Sequence, residues 1–126
     1  MNKYLELWPL FLSLVGVSLF SQWASPERLE VTATAYNSVP EQTAGDPNIG
    51  AWGDPILPGM NVIAVSRDLL KRGLDRGTKV RIAGFSEEFI VMDKMAARWE
   101  NKIDIYMGDD IEAARAFGKR TLEIQW

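Results

Sequence analysis

Two aspartates sit where an ionised carboxylate is costly. The stretch "VMDKMAARWENKIDIYMG", residues 91–108, reads as two short apolar strands carrying one acid each, Asp93 and Asp104, eleven positions apart. The Val, Ile, Met and Tyr around them stabilise a strand by being buried, and a carboxylate among them must be paired, hydrogen-bonded or protonated. Apolar walls raise a carboxyl pKa because desolvation disfavours the charged form, and a second carboxylate nearby raises it further. An acid still protonated near neutral pH can hand its proton to a leaving oxygen, as cleavage of a glycosidic bond requires. The competing reading is structural: an aspartate at a strand end caps a turn or accepts backbone N–H groups. That role suits Asp93 as well as chemistry does. It suits Asp104 less well, because aspartate is depleted in the middle of strands.

Composition narrows the chemistry further. The 126 residues include no histidine and no cysteine. Thiol nucleophiles, disulfides, Ser–His dyads and nearly every zinc or iron site are therefore excluded. Acid–base work falls to Asp, Glu, Lys or Tyr, and no metal or organic cofactor is implied. Asp109, Asp110 and Glu112 read as helix-start residues, since their spacing lacks the glycine-bearing loop of a calcium site. The net charge is −3, from 14 basic and 17 acidic side chains, and no stretch is strongly basic. Nucleic acid is not an expected partner.

The elements that must position the two acids are short. "RLEVTATAY" (28–36) alternates, with Leu29, Val31, Ala33 and Ala35 on one face, as a half-buried strand does. "VIAV" (62–65), the strand within "DRGTKVRIAG", "EEFIVMD", "NKIDIYMG" and "TLEIQW" complete a set of six. Ser66 is placed to cap a short helix "RDLLKR" with Gly73 as its terminator, and Asp109 or Asp110 to cap "DIEAARAF". Six short strands, two small helices and no long βαβ unit predict a mainly β fold, a small closed barrel. By strand parity Asp93 falls on the face of Phe89 and Val91. Asp104 shares a face with Lys102 and Tyr106, opposite Ile103 and Ile105, as in a strand that lines a groove on one side. Between the first two strands runs a loop of about 25 residues rich in Gly, Pro, Asn and Asp, and loops of that length are commonly functional. Its Thr43 and Trp52 are expected to line the same groove as Asp104.

Ahead of this domain, which covers residues 27–126, Leu7 to Phe20 is an uncharged apolar run preceded by Lys3. Fourteen residues fit the core of a signal peptide better than the roughly 20 of a full membrane span. Extension through Trp23 would make a short inner-membrane anchor. Residues 1–24 are accordingly expected to be a hydrophobic helix acting as signal peptide or anchor, with the domain on the periplasmic side of the envelope.

These words in this order resemble the 3D domain, named for three aspartates, an RlpA-like double-psi β-barrel related to MltA-type lytic transglycosylases. The resemblance covers roughly residues 31–126 and rests on "TATAY", "TAG", "VIAVS", "RGTKVRI", "NKIDIYMG" and "FGKRTLEIQW". It implies a six-stranded double-psi barrel acting on peptidoglycan glycan strands, with Asp104 as proton donor and Asp93 as its companion. A non-catalytic peptidoglycan-binding barrel and a two-carboxylate hydrolase are the alternatives. Two departures bear on the site. Where the family often reads Ile-Ala-Val-Asp-Pro, this chain has Ile63-Ala64-Val65-Ser66-Arg67-Asp68, so the first aspartate is replaced by Ser66 or displaced to Asp68. Asp68 also has a sufficient role at the start of its helix. The glycine pair after the second aspartate is absent, and Lys94, Arg98 and Trp99 stand nearby instead. Trp99 could stack on a sugar and Arg98 meet a carboxylate, or both could cover the barrel end.

Overall fold

The computed structural model describes residues 25–38 and 49–126. The expected signal or anchor helix over 1–24 and Thr43 lie outside the described residues. The six strands are β1 (Arg28–Tyr36), β2 (Val62–Val65), β3 (Lys79–Ile82), β4 (Glu88–Lys94), β5 (Lys102–Tyr106) and β6 (Arg120–Gln125). Helix α1 (Arg67–Leu70) follows β2, and α2 (Ile111–Phe117) follows β5. The strands close into a barrel in the order β1-β5-β2-β4-β3-β6. The β1–β5 and β2–β4 pairs are parallel, and the other four are antiparallel. Closure leaves no free sheet edge, which matters for strands as short as four residues.

The period-two pattern decides what fills the barrel. Val31 and Ala33 of β1, Ile63 and Val65 of β2, Val80 and Ile82 of β3, Phe89 and Val91 of β4, Ile103 and Ile105 of β5 and Ile124 of β6 form one buried cluster. Each Val, Ile or Phe fully buried there contributes about 1.5–3 kcal/mol. Leu69 of α1, Leu74 shortly after that helix and Phe117 of α2 complete it. A second, smaller cluster of Ile56, Val62 and Tyr106 has Tyr36, Met60 and Met92 packed against it. Tyr36 and Tyr106 alternate with the core-facing residues, so this cluster lies on the outer surface of the sheet, beneath the segment carrying Ile56 and Met60.

The helix starts differ from one another. Asp110 caps α2, its carboxylate accepting from the Ala113 N–H at 3.0 Å. Ser66 occupies the capping position of α1, but its side chain makes no capping bond. Instead the buried Ser66 Oγ accepts the Lys102 N–H at 2.9 Å, while the Ser66 N–H donates to the Lys102 carbonyl at 2.8 Å. The hydroxyl thus ties the end of β2 to the start of β5.

Candidate functional site

Strand register builds the site. Asp104 pairs with Thr34 of β1 on one side and Ala64 of β2 on the other, and Ala64 pairs in turn with Asp93 of β4. Thr34, Asp104, Ala64 and Asp93 therefore form one row across four adjacent strands. Their neighbours Ala33, Ile103, Ile105 and Ile63 point into the core, so the row faces outward. Asp93 reaches it through an irregularity. Ile63 pairs with Val91 but Ala64 with Asp93, so Met92 is an extra residue on β4. This β-bulge reverses the parity beyond it. The expectation that Asp93 shares the face of Phe89 and Val91 is thereby corrected: those two face the core, and Asp93 turns out beside Asp104.

Asp104 is half-buried, and its Oδ1 accepts the Thr34 hydroxyl at 2.9 Å. Desolvation raises its pKa above the ordinary carboxyl value, and the Asp93 charge adds to the rise. The Thr34 bond and the Lys102 charge oppose it without cancelling it. Asp93 is raised too, again chiefly by desolvation, against the hydrogen bonds it receives. Its Oδ1 accepts the N–H of Ala51 at 2.8 Å and that of Lys94 at 2.9 Å. One carboxylate is thus bound by a single side chain, whereas the other staples the long loop to the bulge.

Gly50 makes that staple possible. A Cβ at this position would lie 2.4 Å from the Met92 carbonyl oxygen. Only glycine lets the loop come this close to the bulged strand, and the close approach brings the Ala51 N–H onto Asp93. Two tyrosines wall the same outer face. The rings of Tyr36 and Tyr106 lie 5.3 Å apart, and the Tyr106 hydroxyl donates to Ser38 Oγ at 2.9 Å. The Tyr36 hydroxyl is buried near enough to Asp93 to favour that carboxylate's charged form, but it makes no hydrogen bond of good geometry. Desolvation first, then the charges of Asp93 and Asp104, push its pKa far up, so it stays a neutral phenol. Asn37 fixes the end of β1 by donating to the carbonyls of Gly108 and Asp110 at 3.1 and 3.0 Å.

The other expected site residues divide. Trp52 stands next to the Ala51 staple, with Lys94 Nζ 5.3 Å above its ring, and part of it packs against the barrel core. Asp68 accepts the Asn101 N–H at 3.0 Å. Desolvation opposes its charge, but bonds from Ser66, Asn101 and its own helical turn outweigh that and hold its pKa below the ordinary value. It anchors the β4–β5 loop. Arg98 and Trp99 lie in that loop, with Arg98 stacked on the Trp99 ring. Tyr106 is almost wholly buried and acts as a wall of the small outer cluster. Sequence reasoning passed over Thr34, Tyr36, Gly50 and Ala64. The alternation of β1 already placed Thr34 and Tyr36 on its polar face, but the parallel pairing of β1 with β5 had no local signal.

No family model matches the chain, and no curated protein does. Among solved structures it is similar to the apo form of an expansin from Clavibacter michiganensis, at 20% sequence identity and a TM-score of 0.53. The match covers 78% of this chain and 49% of the expansin, so the chain spans about half the length of that protein. At this identity the likeness concerns the fold. Together with the closed six-stranded order, it identifies the domain as a double-psi β-barrel.

Proposed function

We propose that this barrel is an exported cell-wall protein that cleaves peptidoglycan glycan strands as a lytic transglycosylase, and that it belongs with the 3D-domain relatives of the MltA type. The observation that carries the reading is Asp104, an outward-facing mid-strand acid whose burial raises its pKa and whose only hydrogen bond from a side chain comes from Thr34 among the described residues. In this reading the Asp104 proton goes to the glycosidic oxygen between N-acetylmuramic acid and N-acetylglucosamine as the C1–O bond breaks. The resulting carboxylate then takes the proton of the muramyl C6 hydroxyl while that oxygen bonds to C1, closing a 1,6-anhydro ring. The acid returns to its starting state and no water is consumed.

One tuned carboxyl group suffices for this sequence, in contrast to the acid and base pair of a hydrolase. Asp93 supports the single-acid reading because one of its oxygens is already engaged by two backbone N–H groups. Its role is to hold the loop and keep a negative charge near Asp104. Export through residues 1–24, by cleaved signal or anchor, would bring the domain to its substrate. Digestion of purified sacculi with mass analysis of the released muropeptides tests the reading. Anhydro ends are expected. Reducing ends would replace it with a two-carboxylate hydrolase, and no release would leave a glycan-binding barrel.

A further inference from the structure

Trp99 lies in the loop between β4 and β5, 36% exposed, and two cations share its ring. Lys102 Nζ is 3.6 Å from the ring centroid and the Arg98 guanidinium 4.9 Å. The ring quadrupole attracts each of them, but it does not neutralise either. Neither has a carboxylate within ion-pair distance among the described residues, unlike Arg72, Arg76 and Arg81, which pair with Glu27, Asp54 and Glu88. Asp104, two residues along β5 from Lys102, is near enough to feel that charge and yet makes no ion pair with it.

The loop that presents Arg98 and Trp99 is fixed, and Lys102 opens β5 directly after it. Arg67 Nε donates to the Met95 carbonyl at 3.0 Å, and the Trp99 N–H to the Ala96 carbonyl at 3.1 Å. Asn101, in the left-handed region at φ 47°, donates its N–H to Asp68 and its side-chain amide to the Glu30 carbonyl. Two like charges are thus held on one indole by a braced loop beside the acid, which is a preorganised demand for an anion. With Lys102 only 3.6 Å from the ring centre, a face of Trp99 that a pyranose could cover is already occupied. The loop is built to read charge.

We infer that Arg98, Lys102 and Trp99 form a subsite for a carboxylate carried by the glycan, adjacent to the outward row that holds Asp104. The assignment rests on reading that face as a glycan site. The carboxylate could belong to a peptide substituent or to an acidic sugar ring, and both would be met in the same way, by hydrogen bonds from the guanidinium and ammonium.

The test measures binding by co-sedimentation with full-length protein carrying Asp104→Asn, so that nothing is cut during the assay. Four glycans are compared: native sacculi, sacculi whose carboxyl groups have been converted to amides, chitin, and calcium-gelled polygalacturonate. Native sacculi should bind about tenfold more tightly than amidated sacculi or chitin. That advantage should vanish on adding Arg98→Met and Lys102→Met, and should shrink with added salt. Polygalacturonate binding as well as sacculi would show that a ring carboxylate suffices, and weaker binding that the peptide carboxylate is the one recognised. Equal affinity for native and amidated sacculi, or a preference that survives the double substitution, would overturn the subsite. No binding to any glycan would overturn the subsite and the glycan-binding face together. A charge preference that disappears with Arg98 and Lys102, in a wild-type protein that releases no muropeptides, would keep the subsite and remove only the proposed cleavage.

Discussion

Replacing Asp104 by asparagine separates a proton donor from a structural carboxylate, because the two roles predict opposite changes in stability. The side chains share shape and volume, and the Thr34 hydroxyl that donates to Oδ1 at 2.9 Å can donate to the amide carbonyl instead. Desolvation, helped by the Asp93 charge, raises the Asp104 pKa in the folded protein despite Thr34 and Lys102. A raised carboxyl pKa means that the fold prefers the protonated acid. Its contribution is complete below the unfolded value, about 3.9, and is lost as pH rises through the higher folded value. Above that folded value the wild type carries a half-buried charge that asparagine lacks. The variant should gain stability relative to wild type as pH rises, by about 1.4 kcal/mol for each unit between the two pKa values. In a domain of this size each kcal/mol moves Tm by about 4–8 °C. Glycan cleavage by the same variant should fall by roughly 10²- to 10⁴-fold, the usual share of a general acid. Thermal melts of both proteins from pH 3 to 8, beside sacculus digestion, give the two readouts. A variant destabilised at neutral pH, with retained activity in the folded fraction, would show that Asp104 is an ionised anchor and would refute the catalytic assignment.

Three further substitutions probe the surroundings of this acid. Asp93→Asn removes a charge two strand spacings of about 4.8 Å from Asp104, a repulsion on the order of 1–2 kcal/mol at an effective dielectric near 20. The pH–rate profile of cleavage should move to lower pH, with a smaller loss of rate than Asp104→Asn gives; an unmoved profile would mean that the two carboxylates are not coupled. Gly50→Ala places a Cβ 2.4 Å from the Met92 carbonyl and 2.9 Å from Ile56 Cδ1, and only the Ile56 side chain can yield cheaply. The Ala51–Asp93 bond should break at a cost of about 1.5–3 kcal/mol, seen as faster hydrogen exchange at the Ala51 amide. Tyr36→Phe removes a buried hydroxyl that lacks a well-formed partner, so urea melts should show a loss below about 1 kcal/mol or a gain. A loss above 2 kcal/mol would reveal a strong bond to Asp93.

Much of the barrel was legible because its strands are short and amphipathic in the simplest way. The alternation of Leu29, Val31, Ala33 and Ala35 marks β1 over the span that the fold adopts, Arg28–Tyr36, and the apolar run Val62–Val65 is β2 without change. The helices follow from their punctuation, Gly73 after α1 at φ 96° and Asp110 and Gly118 around α2. Ser66 shows the limit of such local reading. A serine before a short helix suggests a cap, but its side chain is claimed by Lys102, 36 residues away, because the start of β5 would otherwise leave that N–H unpaired in a buried place.

The site was half legible for the same reason. Asp104 could be placed on the outer face from β5 alone, since Ile103 and Ile105 on either side must enter the core. For Asp93 the same count gives the wrong face, because a parity argument assumes that no residue is inserted, and Met92 is inserted. What marks the bulge is not in β4. It is Gly50, more than 40 residues earlier, whose lack of a side chain lets the loop lie on the Met92 carbonyl and offer the Ala51 N–H to the displaced carboxylate. Loop and bulge therefore form one device. Without the bulge, Asp93 would point among Phe89 and Val91, where no partner for a carboxylate exists and burial would cost several kcal/mol. Without the loop, the carboxylate turned out by the bulge would lose one of its two backbone donors. The pair places a second negative charge across Ala64 from Asp104, and that charge helps an isolated acid on a β-strand keep its proton.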